Sequence, residues 1–166
     1  MTVTRSGIGY DVHAFAPDRP LMLGGIEIPY DLGLDGHSDA DVLLHAVTDA
    51  LLGAAALGDI GTHFPPSDPA YRNASSQTFL STARSMLTAA GFIINNIDCT
   101  VIAEAPKILP YCLAIRELIA TALDVTIEQV SVKATTNERL GFIGRQEGIA
   151  ALAIASVSQF ERAASS

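Results

Sequence analysis

The sequence has no apolar run approaching the ~20 residues that a membrane-spanning helix needs. Its opening, MTVTRSGIGY, lacks the basic flank and apolar core of a secretory leader. The expectation is a soluble, cytoplasmic chain with no membrane partner. Cysteine is nearly absent. Cys99 and Cys112 stand thirteen positions apart in no metal-ligand spacing, which excludes a disulfide scaffold and points to a reducing compartment. Both read as core residues. Basic residues are scarce as well: ten Lys and Arg face eighteen Asp and Glu, a net charge of −8. Neither nucleic acid nor an anionic membrane surface would attract such a chain.

What is present suits one compact domain over residues 1–166, with 49% hydrophobic and 17% charged residues. The charges are unevenly spread. Between Arg19 and Arg72 there is no Lys or Arg, and eight acids fill the gap: Glu27, Asp31, Asp35, Asp39, Asp41, Asp49, Asp59 and Asp68. All four histidines, His13, His37, His45 and His63, fall in the first 63 positions. A bound cation and a solvated acidic face both account for this clustering, although acids that serve solubility usually alternate with bases.

Alternation over residues 6–15 predicts a strand, and LMLGGIEIP at 21–29 a hairpin around Gly24-Gly25. Ser38 caps a predicted helix with Asp39 and Asp41 in its first turn; its apolar stripe of Val42, Leu43, Val47, Ala50, Leu51 and Ala54 runs to about Ala56. GDIGTHFPPSDPAYRN reads as a long loop. A helix from Ser75 to Ala90 stops at Gly91, NIDCTVIA at 96–103 is a strand, Pro110 starts a helix to about Leu123, and VSVKAT at 130–135 is a strand. The closing EGIAALAIASVSQF fits helix or strand; a strand forming a hairpin with 130–135 is the preferred reading. The fold class is then α/β (α+β), a mixed sheet of about four strands with helices on one face.

Asp11 and His13 are two positions apart, on one face of an extended strand. Asp41, His45 and Asp49 follow at i, i+4 and i+8 on a helix, placing His45 on a polar stripe. Asp11, His13 and His45 would give zinc three protein ligands and leave a fourth position open, the pattern of a catalytic site. A structural role for the histidines is the competing reading. Asp41 or Asp49 could orient His45 from behind. KATTNERLGFIGR at 133–145 leaves a strand with hydroxyls, an acid, glycines and arginines; it suits phosphate, with Glu138 sharing a hard cation, or is simply a capped turn.

The segments GYDVHAF (9–15), HSDADVLLHAVTDALLGAAALGDIG (37–61), AEAPKILP (103–110) and KATTNERLGFIGRQEGI (133–149) resemble the 2-C-methyl-D-erythritol 2,4-cyclodiphosphate synthase family of non-mevalonate isoprenoid biosynthesis. The likeness covers roughly residues 7–158. It implies conversion of 4-diphosphocytidyl-2-C-methyl-D-erythritol 2-phosphate to the cyclic diphosphate and CMP, by attack of the 2-phosphate on the β-phosphorus. It also implies that Asp11, His13 and His45 hold zinc and that Glu138 holds Mg²⁺ or Mn²⁺. His37 and Thr136 would stabilise the transition state, with Ser38 beside them. Asp59, Ile60, Gly61, Phe64 and Asp68 would hold the erythritol part. Ala103, Pro106, Lys107, Ile108, Leu109 and Thr135 would form the cytidine pocket. The resemblance further implies a homotrimer with sites between subunits and sheets facing a central cavity, where Phe142 and Arg145 meet an isoprenoid diphosphate in some members. Pro66 stands where members often carry an acid, and Asn137 where threonine is frequent. The same ligand set would also serve a zinc phosphohydrolase, and the central cavity a non-catalytic isoprenoid-diphosphate sensor.

Overall fold

A computed structural model describes residues 2–160; the expected single domain over 1–166 extends at both ends beyond the described residues. The chain builds strands β1 (Thr2–Ala16), β2 (Leu21–Leu23), β3 (Ile26–Ile28), β4 (Gly33–Leu34), β5 (Phe92–Ile102), β6 (Val130–Thr135) and β7 (Gly148–Phe160). Its helices are α1 (Val42–Ala54), α2 (Ile60–His63), α3 (Ser76–Ala89), α4 (Cys112–Leu123) and α5 (Gly141–Gly144). A five-stranded mixed sheet runs β4-β1-β7-β5-β6, and β2 with β3 makes a separate hairpin. The fold is a single α+β domain. The fifth strand of the main sheet is the two-residue edge β4, too short to show as alternation in the sequence.

The closing segment is a strand, but its partners differ from the expectation. β7 lies antiparallel between β1 and β5, while β6 pairs with β5 alone and in parallel. The connection from β5 through α4 to β6 is a crossover unit, which takes β6 to the sheet edge and leaves the centre for β7. Small residues suit that place: Ala150, Ala151, Ala153 and Ala155 are all buried.

Contact between helix and sheet is closest where β1 meets α1. A Cβ on Gly7 would lie 2.2 Å from the Ala50 carbonyl oxygen, and one on Gly9 1.9 Å from that of Ala46. Glycine lets the two backbones touch. The odd positions of β1 therefore face α1, and Asp11 and His13 follow Gly7 and Gly9 on that face. The even positions face away, and Ile8, Tyr10 and Val12 are exposed together with Leu152 and Ile154 of β7. Ile8 pairs with Ile154, and Tyr10 with Leu152.

Two boundaries move from their expected places. α1 is capped by Asp41, not Ser38, so neither Asp39 nor Asp41 lies in its first turn. The 58–73 loop carries α2 and a 3₁₀ turn at Pro69–Tyr71. Asp41 is fully buried and accepts from the backbone N–H groups of Leu43 and Leu44 and from those of Gly24 and Gly25 in the β2–β3 turn, at 2.6–3.2 Å. Gly24 and Gly25 both take positive φ, as a tight hairpin turn requires. Burial raises the Asp41 carboxyl above its ordinary range despite these donors. Cys99 and Cys112 are buried, as read, and burial pushes the Cys99 thiol up to about 12.

Candidate metal centre and active site

Asp11 and His13 reach from β1 to His45, which closes the first turn of α1. Asp11 Oδ2 lies 3.0 Å from His13 Nε2 and 2.9 Å from His45 Nδ1, and the two nitrogens are 3.2 Å apart. Among the described residues this is the cluster whose ligand atoms converge. Tetrahedral zinc with bonds of about 2.0–2.1 Å sets its ligands roughly 3.3 Å from one another, so the triangle has the right size for a divalent ion.

The outer nitrogens indicate which lone pairs point inward. His13 Nδ1 is 2.5 Å from the Asp35 carbonyl oxygen; a carbonyl only accepts, so Nδ1 carries the proton and Nε2 is free to bind a metal. His45 Nε2 is 2.9 Å from Ser76 Oγ and 3.2 Å from Ser38 Oγ. Burial opposes ionisation of Asp11, yet hydrogen bonding to His13 and His45 outweighs it and holds the carboxyl well below its usual range. Burial likewise works against charge on His13, but its bond to Asp11 raises it above its ordinary value. Both shifts mark a hollow that favours positive charge, carried by a proton on His13 or by a metal ion in its place.

The carboxylates expected behind His45 are elsewhere. Asp41 is turned to the helix cap and the β2–β3 hairpin, because the helix begins at Asp41 itself. Asp49 accepts from the Ile60 backbone N–H at 2.7 Å and anchors the start of α2; burial raises its carboxyl. Ser76 and Ser38 touch His45 instead. Nothing in the local sequence marks Ser76, which lies 31 positions from its partner.

The triad opens on a cavity of about 300 Å³ whose wall includes His13, His37, Ser38, His45, Ile60, Gly61 and Phe64, and also Pro66, Tyr71 and Phe79. Phe64 stacks on Phe79 with centroids 4.6 Å apart, and Tyr71 meets both edge-on. No local pattern marks this aromatic wall, since its members come from the loop and from α3. Asp59 caps α2, and hydrogen bonds from Thr62 hold its carboxyl below the ordinary range. Asp68 caps the 3₁₀ turn through Ala70 N at 2.9 Å, outside the cavity wall.

The candidates that follow β5 and β6 sit across the sheet from the triad, whereas the segment that carries Phe142 and Arg145 returns to β1, where the Phe15 N–H donates to the Glu147 carbonyl at 2.9 Å. The register runs Asp11, Ala151, Val101, Ala134 across four strands, a span of ~14 Å at ordinary strand spacing. Beyond Ala134, Thr135 and Thr136 leave β6, and Thr136 Oγ1 donates to Glu138 Oε1 at 2.7 Å. The Ala103 backbone N–H donates to the Thr135 carbonyl at 3.0 Å, placing the 103–109 segment beside this turn. Ala103 and Ile108 are buried and Leu109 is exposed; Pro106 is half-buried and Lys107 exposed. Phe142 is exposed, and Arg145 pairs with Glu147 at 2.7 Å. Within one chain the phosphate-type turn and the metal-type hollow are thus not brought together.

Two imidazoles and a carboxylate converge at the mouth of a cavity on an α+β scaffold, a donor set of the class that fits a divalent metal ion. The chain belongs to the YgbB family, whose model matches residues 4–158. A relative from Symbiobacterium thermophilum named 2-C-methyl-D-erythritol 2,4-cyclodiphosphate synthase is 59% identical over 152 residues, 92% of this chain and 97% of its own length. Among solved structures, the Plasmodium falciparum IspF complex with CDP superposes with a TM-score of 0.83 at 35% identity, over 95% of this chain and 97% of that one. The bifunctional IspDF of Campylobacter jejuni gives a TM-score of 0.93 at 44% identity over 97% of this chain, which spans 44% of that longer protein. Among the described residues no helix is long and apolar enough to cross a membrane.

Proposed function

We propose that this chain converts 4-diphosphocytidyl-2-C-methyl-D-erythritol 2-phosphate to 2-C-methyl-D-erythritol 2,4-cyclodiphosphate and CMP. The observation that carries the reading is the Asp11–His13–His45 triangle at a cavity walled by His37, in a chain 59% identical to a named synthase. An oxygen of the 2-phosphate forms a bond to the β-phosphorus, the bond between that phosphorus and the α-phosphate oxygen breaks, and CMP leaves; no water is consumed. Asp11, His13 and His45 would hold zinc and Glu138 would hold Mg²⁺ or Mn²⁺, ions that would supply Lewis acidity and charge neutralisation to the phosphoryl oxygens.

The chain's own residues fold the substrate and exclude water, the main demand of an intramolecular phosphoryl transfer. His37 and Ser38 lie on the cavity wall beside the triad, where they position the reacting phosphates. Ile60, Gly61 and Phe64 hold the erythritol carbons, with the Phe64–Phe79 stack closing the apolar side. Asp59 and Asp68 shape that loop by capping its two turns. Thr136 donates to the phosphates from the β6 turn, and Ala103, Pro106, Lys107, Ile108, Leu109 and Thr135 take the cytidine.

Joining halves that stand ~14 Å apart across a sheet calls for a second chain. The exposed Ile8, Tyr10, Val12, Leu152 and Ile154 offer the apolar face for it, and we read the assembly as a homotrimer with these faces inward. Phe142 and Arg145 would then meet an isoprenoid diphosphate at the central cavity. Phosphorus NMR of the protein with substrate and Mg²⁺, with and without a zinc chelator, tests the reading. Cyclic diphosphate and CMP, lost on chelation, are expected; inorganic phosphate would indicate a hydrolase, and unchanged substrate a sensor.

A further inference from the structure

We infer that Ser76 and Asp39 form a positioning relay that fixes the protonation and orientation of His45 for the metal. The inference rests on the metal reading above. Ser76 is the first residue of α3 and is fully buried. Its hydroxyl lies 2.9 Å from His45 Nε2 and makes a close hydrogen bond to Asp39 Oδ1. Asp39 Oδ2 accepts from the Ser76 backbone N–H at 2.9 Å, so the carboxylate grips the residue twice.

The direction of each bond follows from the chemistry of the groups. An ionised carboxylate has no hydrogen to give, so the Ser76 hydroxyl donates to Asp39. Its oxygen lone pairs then face His45 Nε2 and accept a proton from it. With the proton on Nε2, the lone pair of Nδ1 points at Asp11 and His13, as a metal ligand must. Ser38 Oγ lies farther from Nε2, at 3.2 Å, and already accepts from the Ala40 backbone N–H at 3.1 Å. It is therefore the weaker of the two supports.

Two substitutions act on the relay without touching a metal ligand. Ser76→Ala removes the acceptor. Asp39→Asn keeps the shape but reverses the chain of donors: the Ser76 N–H, at 2.9 Å, takes the amide oxygen in preference to the Asp41 N–H, which reaches the other carboxylate oxygen only at 3.3 Å, so the amide nitrogen faces Ser76 Oγ. The hydroxyl then turns its hydrogen toward His45 Nε2, which favours the wrong tautomer. Zinc affinity of the full chain is measured by competition with a chromogenic chelator, alongside thermal melting of the zinc-free proteins. Hydrogen exchange of the His45 Nε2 proton is followed by NMR in the zinc-loaded form.

Both variants are expected to bind zinc about 10- to 100-fold more weakly, with faster exchange of that proton and little change in melting. Wild-type zinc affinity in the folded variants would overturn the relay, and Asp39→Asn, isosteric with the native residue, carries the test if Ser76→Ala does not fold. His45→Ala separates the two readings. Zinc retained there sinks the metal site and the relay with it; zinc lost there but kept in Ser76→Ala and Asp39→Asn sinks the relay alone.

Discussion

A Cβ added to Gly9 would stand 1.9 Å from the carbonyl oxygen of Ala46, the residue that follows His45 in α1. This contact between strand and helix backbones sets the height of His45 above Asp11 and His13. The metal hollow thus depends on a residue that carries no side chain at all.

Gly9→Ala is expected to force α1 off the sheet, costing about 1–3 kcal/mol or more because the obstacle is backbone and cannot rotate away. Each kcal/mol lowers the melting temperature by roughly 2–4 °C in a domain of this size. Gly53, also in α1, is exposed and would place its Cβ in open space; Gly53→Ala should stabilise by about 0.5–1 kcal/mol. Calorimetry of the pair checks the claim, and equal effects would refute it.

The ligands were legible because strand and helix periods are short. Two-residue spacing put Asp11 and His13 on one face, and the polar stripe of α1 marked His45. What stood behind His45 was not legible. Sequence alone puts the helix cap at Ser38, whereas the buried carboxylate of Asp41 gathers four backbone donors and caps the helix three residues later, turning that side chain away from the site. Ser76 and the aromatic wall arrive through tertiary contacts that no local pattern encodes. The place of β7 between β1 and β5 is equally non-local: residues 147–160 show what can be a strand, not which strands it joins.

If Glu138 holds a second cation, as proposed, its loss is separable from zinc on the triad. Glu138→Gln should lower turnover at least tenfold and weaken the response to Mg²⁺ while zinc stays stoichiometric. Zinc analysis by atomic absorption, run beside activity at varied Mg²⁺, is the measurement. Loss of zinc from this variant would mean that the turn after β6 belongs to the zinc site, contrary to the division drawn above.

Ile154 pairs with Ile8 on the open face of the sheet, and the two are 49% and 68% exposed in the single chain. Ile154→Glu would place a charge in the apolar interface proposed for the homotrimer, where burying it unpaired costs several kcal/mol. The expected product is a folded monomer by light scattering, with a native far-ultraviolet spectrum and no turnover. A monomer that keeps wild-type activity would show that one chain holds a complete site.

Glu104 binds the turn that carries Thr136 and Glu138. One carboxylate oxygen accepts from the backbone N–H of Asn137 at 3.0 Å and of Arg139 at 2.8 Å. Between them Glu138 takes φ +51°, and Arg139 itself takes +61°, conformations that cost energy for residues with a side chain. The carboxylate offsets that cost and ties the turn to the end of β5, next to the segment assigned to cytidine. Glu104→Ala should therefore loosen Thr136 and Glu138 together. Because the site is partly open to water, a loss near the lower end of the range for charge-assisted bonds, about 1.5 kcal/mol, is expected, or roughly tenfold in turnover. Glu104→Gln retains an oxygen that accepts both bonds and should recover most of it. Zinc content should not change in either variant, because within a chain three strand steps separate Asp11 from the end of β6 that leads into the turn. Turnover unaffected in Glu104→Ala would show that the turn holds its shape without this anchor, whereas a fall confined to KM would assign Glu104 to the nucleotide alone.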